Sequence, residues 1–503
     1  MRFGSNMRGL CRIGSIPFVA MLVCFTGCSQ DVTKGPPLVA PAEVPSDSGS
    51  VAGPAQLPVN ESSTSAVTAS DRDLSATDQD SELISVSPPN PMELIDAASV
   101  ALEDGDIDQA FQIARQAYRV APDQLEVAFM MARLLGERRR FHEAIDMLDQ
   151  LSKDHPNMRL PILGQTAEWM VKAGLWKDAE DRYIEILRQV PNAAIVHRNL
   201  AELYVRQGQR LKAAGHIDSL CRIGDVSESE LRTMLRVFCP VSDTVPDTAQ
   251  DETLDPIGSL GIARKESSQG KWESARKRLE PTNAGPSDSS AVQTTEAEAL
   301  LARIYAKSGN VALQGFLQSE SLLDHPDSWY AKGVNAASED RHADAVRLFA
   351  KCVAVDQTDH EAYLDMSRSL EKLGMPEKAK LVAARGQLVR KTQLLGQKTG
   401  QALTQEAITE LAGALEELHR PLEATAWRGV ALAYAESRGS VSAKEIQSAI
   451  TKLNQDRSDY LASGKTMPDR DFVLCGIDVE RLPDNTKKIS SGKPGQTPKP
   501  SSE

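Results

Sequence analysis

Residues 174–191 read GLWKDAEDRYIEILRQVP. The stretch opens on Gly174, places Ala179 five residues later, and closes on Pro191 twelve residues beyond the alanine. Between glycine and proline, apolar residues recur every three or four positions, the spacing of one face of a helix. Working outward, Ala110, Ala144, Ala179 and Ala213 stand 34, 35 and 34 residues apart. Gly105 and Gly208 precede their alanines by the same five residues, and Pro122 and Pro156 follow theirs by the same twelve. Three residue types at fixed offsets on one period predict a stacked array of helix pairs. Each pair would bury its small alanine against its partner helix, turn on the glycine, and stop at the proline.

The repeats over 92–239 resemble the tetratricopeptide repeat (TPR) family, whose unit is two antiparallel helices. Ala98, Ala132, Ala167 and Ala201 match its small residue in the first helix, and the four alanines above match the one opening the second. Ile107, Phe141 and Trp176 match the large apolar residues that follow the turn. Arg139 stands where the other repeats carry glycine, and is expected to strain or reshape that turn. The fourth repeat lacks its proline and is expected to end at Gly224, with SESELRTMLRVFC as a capping helix.

Residues 240–255 (PVSDTVPDTAQDETLD) are acidic and aperiodic, and read as a linker that lets the two flanking arrays unfold separately. A second, more degenerate array is expected over 256–436. Its marks are Gly270-Lys271-Trp272 with Ala275, Ala302 with Tyr305 and Gly309, and Trp329 to Gly333 with Ala345 and Phe349. Tyr363 with Gly374 and Ala379, and finally Ala412 with Ala424, continue it, with a long helix over 377–395. The expected fold is all-α: a right-handed α-solenoid of TPR helix pairs in two arrays. Residues 437–503 read as one amphipathic helix from about Ser442 to Ala462 and a disordered tail, with FVLCGIDVERLP (472–483) as a short strand or docking peptide.

The N-terminus sets the expected compartment. Arg2, Arg8 and Arg12 precede the apolar run IGSIPFVAMLVCF, which is too short for a mature membrane span and has the anatomy of a signal peptide over 1–27. Thr26-Gly27-Cys28 resembles the lipobox of bacterial lipoproteins, with Phe25 departing from the usual leucine. That resemblance implies acylation of Cys28 and localisation to the cell envelope, facing the periplasm or exterior. Residues 28–91 are rich in Ser, Thr, Pro and Ala, and read as a lipid-anchored disordered linker reaching roughly 40–50 Å. The formal net charge of −13 becomes −16 when the three arginines of 1–27 are removed, which argues against a nucleic-acid partner.

No catalytic or cofactor pattern emerges. His142-Glu143 lacks a second histidine four residues on, and no phosphate loop, nucleophile elbow or calcium loop is present. No cofactor and no metal site is expected. Cys221 and Cys239 bracket one helix and read as buried thiols or a disulfide, and Cys352 reads as core. In the TPR family the first helix of each repeat lines a concave surface. This register points Phe129, Arg133, Glu168, Lys172, Arg198, Glu202 and Arg206 inward, with Tyr330 and Arg368 in the second array. Four cations among them favour an extended acidic peptide, gripped by bidentate Arg–carboxylate contacts. The expected function is a non-catalytic envelope scaffold for a protein or peptide partner. The alternatives are an accessory subunit of an exported enzyme, and an enzyme whose active site carries no recognised motif.

Overall fold

The computed structural model of the chain describes residues 90–235, 257–280, 291–309, 324–401, 404–465 and 470–483. The signal peptide, Cys28, nearly all of the stalk, the 240–255 linker, Cys239 and the last twenty residues lie outside the described residues.

Helices follow one another in antiparallel pairs. The first array is α1 (Pro91–Glu103), α2 (Ile107–Val120), α3 (Leu125–Glu137), α4 (Phe141–Asp154), α5 (Arg159–Lys172), α6 (Trp176–Gln189), α7 (Ala194–Arg206) and α8 (Arg210–Ile223). A short α9 (Glu228–Met234) closes it, started by a capping box between Ser227 and Glu230. Ala110, Ala144, Ala179 and Ala213 are all fully buried, as are Ala98, Ala132 and Ala167. A side chain of one carbon at these crossings lets the helices approach closely enough for Leu134, Leu148, Ile162, Ile186 and Leu200 to interdigitate. α2, α4 and α6 stop two residues before Pro122, Pro156 and Pro191, and α8 ends on Gly224 at φ 86°.

The turns between paired helices share one geometry. The amide three residues past the helix donates back to the carbonyl five residues earlier: Asp106 to Ala101, Arg140 to Leu135, Leu175 to Met170 and Gln209 to Tyr204, at 2.8–2.9 Å. This pattern needs a left-handed residue, supplied by Gly105, Gly174 and Gly208. Arg139 takes the same conformation at φ 60°. The arginine therefore strains the turn, by roughly 1–2 kcal/mol, and does not reshape it.

The second array comprises α10 (Ile257–Ser268), α11 (Trp272–Leu279), α12 (Ala291–Ser308), α13 (Pro326–Ser338), α14 (His342–Val355), α15 (His360–Lys372), α16 (Pro376–Gln401), α17 (Gln405–Glu417) and α18 (Pro421–Ser437). The same turn recurs at Lys271, Arg341, Met375 and Arg420. Its left-handed residues are Gly270, Asp340, Gly374 and His419, so two of the four turns tolerate a side chain there. α16 runs 26 residues where α14 runs 14, longer than the helix expected over 377–395.

The two arrays share a core. α8 and α9 pack on α18, and α7 packs on α10. Ile217, Leu220, Cys221, Leu231 and Leu235 from the first array join Leu395, Ile408, Leu411, Leu415 and Trp427 from the second in one buried cluster. Gly208 lies so close to α10 that a β-carbon would sit 2.7 Å from Leu260 and 3.0 Å from the Gly261 backbone nitrogen. The expectation that the acidic linker uncouples the arrays overlooked this contact. Chain connectivity passes through 240–255, but burial of apolar surface passes directly from α8–α9 to α17–α18.

Beyond α18, α19 (Ala443–Ala462) starts from a capping box at Ser442 and packs on α18. Residues 470–483 contain one helical turn, α20 (Arg470–Val473), and a 3-10 turn over Val479–Arg481. They form no strand, and dock on α14.

Candidate functional site

A cavity of about 600 Å³ opens where the first array meets the second. One wall is the α7–α8 turn, with Gly208, Arg210 and Leu211. α10 and α11 contribute Arg264, Lys265, Ser267 and Trp272; α12 contributes Glu296, Leu300 and Arg303. Asp327, Asp356 and Glu361 come from α13, the α14–α15 loop and α15, and the long α16 closes the far side with Arg390, Gln393, Leu394 and Gln397. The extra length of α16 is what carries these last residues across the opening.

Arg303 organises the floor. It is 6% exposed, and its guanidinium bonds Asp359 at 2.5 and 3.0 Å, Asp327 at 3.2 Å and Glu361 at 2.9 Å. Its plane also lies 3.9 Å from the centre of the Tyr330 ring. Burial disfavours its charge, yet Asp359 and Asp327 more than reverse that and hold its pKa above the ordinary arginine value. Burial would likewise raise the Glu361 carboxyl, but Arg303 and then Lys307 hold it at about 2. Arg264 bonds Asp327 at 2.8 Å and the Gly208 carbonyl at 2.6 Å, and Arg210 pairs with Asp356. These two arginines therefore tie the arrays together across the cavity. Glu296 is raised by burial, partly offset by Arg264, and His325 is lowered, first by burial.

Two side chains on the wall stay open, Arg390 and Leu394, and one buried hydroxyl is unpaired. Ser267 is 8% exposed and its hydroxyl has no partner among the described residues. Arg390 is exposed, and Leu394 leaves 53% of its surface uncovered. The carboxylates are locked in ion pairs, and no group of three metal-ligating side chains gathers among the described residues. Fixed charges beside uncovered apolar surface are features of a ligand-binding cleft.

The sequence-predicted groove fares unevenly. Phe129 and Arg133 lie half-buried on α3. Glu168 and Lys172 pair with each other at 2.8 Å on α5, and Glu202 with Arg206 at 2.5 Å on α7. Arg198 is drawn away from the groove: it bonds Glu230 at 2.8 Å and the Asp225 carbonyl at 3.0 Å, which anchors α9. Arg198 and Arg206 are thus internally committed, at 34% and 21% side-chain exposure, where the sequence suggested free solvent-facing cations. Tyr330 does not line an open groove either; it is buried, and donates to Asp365 at 2.8 Å. Arg368 is exposed and paired with Asp365. The cavity itself escaped the sequence reading. Its lining residues run from Val205 to Gln397, and only tertiary packing brings them together.

Paired helices, left-handed turns and small residues at each crossing define a helical-repeat protein. Family models described as tetratricopeptide repeat match residues 101–160 and 171–227, within the first array. Among solved structures it is similar to a tetratricopeptide repeat protein from Parabacteroides merdae, at 13% identity, covering 56% of this chain and 98% of that one, with a TM-score of 0.25. It is also similar to a chain of the APC/C hetero-tetramer Cut9-Hcn1, at 12% identity, 72% and 90% coverage and a TM-score of 0.27. The human IFIT1 dimer with PPP-AAAA gives 15%, 70% and 92%, and 0.23. These scores fall short of a common overall shape. No curated protein matches the chain.

Proposed function

We propose that this chain is a cell-envelope scaffold that holds an extended segment of a protein partner, tethered to a membrane through acyl chains on Cys28 and without chemistry of its own. The repeats make it a protein-interaction scaffold in the general sense. The observation that carries the finer reading is the cavity, where Arg390 and Leu394 offer one cation and one apolar face. The signal-like start and Thr26-Gly27-Cys28 support the tether.

Crosslinked pull-down from membranes tests the reading. Arg390→Glu with Leu394→Asp should lower partner capture at least tenfold, while Arg133→Glu with Lys172→Glu in the first groove should change it less. Equal capture by the cavity variant and the wild type would sink the cavity as the site. Cys28→Ser should lose label from a fatty-acid analogue, and retained label would end the tether.

A further inference from the structure

The segment 470–483 is held differently from the helix pairs. It belongs to no helix pair, yet five of its side chains, Val473, Leu474, Ile477, Val479 and Leu482, are buried to 8% exposure or less. They enter the same core cluster as Phe349, Tyr363, Met366 and Val382 of α14, α15 and α16. Its backbone is gripped by side chains. Tyr363 donates to the Val473 carbonyl at 3.2 Å, and Arg347 donates to the carbonyls of Val479 and Leu482 at 3.3 and 2.7 Å.

Its first large residue is clamped from two sides. The His419 ring stacks on Phe472 at 3.6 Å and 9°, and the Arg385 guanidinium lies 4.3 Å from the Phe472 ring centre. Arg385 is itself buried and donates to the Tyr363 hydroxyl at 3.1 Å. His419 occupies the left-handed turn position at φ 57°, where most of the turns carry glycine. That turn position brings its ring against Phe472.

Anchor side chains seated in apolar pockets, with the backbone held by hydrogen bonds, are how folded domains hold short peptide segments. We propose that the groove formed by α14, α15, α16 and His419 is a second peptide site, distinct from the cavity, and that residues 470–483 are its built-in occupant. The external ligand is a protein segment of the same chemistry, an aromatic residue followed by apolar residues in the order of Val473, Leu474, Ile477, Val479 and Leu482. Because the resident segment is part of the chain, its effective concentration is roughly millimolar. A partner gains access only by outcompeting it, so the site is autoinhibited.

The probe is a labelled synthetic peptide of residues 470–483, followed by anisotropy. The full chain carrying Phe472→Ala and Leu474→Ala should capture it at least tenfold more tightly than the wild type. Adding Arg347→Ala and Arg385→Ala should abolish that gain, whereas Arg390→Glu in the cavity should leave it intact. Hydrogen exchange on the wild-type chain gives an independent reading: amides of 470–483 should exchange at least tenfold faster than those of α14 and α15. Failure of the loosened, still helical chain to capture peptide overturns the proposal. So does exchange of 470–483 only together with α14–α16, which makes the segment a core element. Dimerisation of the loosened chain without peptide capture also overturns it, and assigns the groove to a second copy.

Discussion

His197 and His216 meet through their Nδ1 atoms at 2.9 Å, while His197 Nε2 lies 2.8 Å from the Pro191 carbonyl. A carbonyl only accepts, so His197 Nε2 carries the proton, His197 Nδ1 accepts, and His216 Nδ1 donates. Tyr204 stacks on His216 at 5.5 Å, and Lys212 sits over Tyr204. Burial, and then His197, lower the His216 pKa from 6.5 to about 4. The folded chain therefore refuses a proton that the unfolded chain accepts. Stability should be full above about pH 6.5, fall as pH drops towards 4, and level off below it. His216 is partly exposed, so after solvent screening the loss is on the order of 1–2 kcal/mol. Urea unfolding at pH 7, 5 and 4 checks this. His216→Gln should flatten that part of the profile, and an unchanged slope in the variant would assign the effect to other groups.

Within elements, the turn glycines separate backbone strain from packing. Gly105 is left-handed at φ 84°, and a β-carbon there meets nothing within 4 Å. Gly208 is left-handed at φ 73° and faces Leu260 and the Gly261 backbone. Gly105→Ala should cost only the strain of the left-handed conformation, roughly 1–2 kcal/mol. Gly208→Ala should add roughly 1–3 kcal/mol of overpacking against α10. Thermal melting of the two variants compares them directly, and equal losses would mean that α7–α8 does not press on α10. The period of 34–35 residues marks both glycines alike. Only the packing of the second array against the first makes them different.

For the whole molecule, Trp427 is the test of how the arrays are joined. It is fully buried in the cluster shared by α8, α9, α16, α17 and α18. Trp427→Ala should destabilise the chain by about 3–5 kcal/mol. Hydrogen exchange should then accelerate in residues 210–235 as well as in 405–437, because both halves of the cluster lose the same contacts. Protection that persists in 210–235 would mean that the arrays unfold separately, as the acidic linker alone suggested.

The helix pairs, their turns and the buried alanines were legible in the sequence, because each depends on residues within one period: a small side chain where two adjacent helices cross, a left-handed residue at the turn, a proline past the end. Even Arg139 could be read, since the turn's hydrogen bonds hold its neighbours in place. The closure of α8–α9 onto α17–α18, the cavity beside it, the commitment of Arg198 to Glu230 and the seating of 470–483 on α14 were not legible. Each joins groups far apart in sequence. Which apolar face meets which, and which charges are left unpaired, is settled only when the accumulated packing angles of many repeats bring distant helices together.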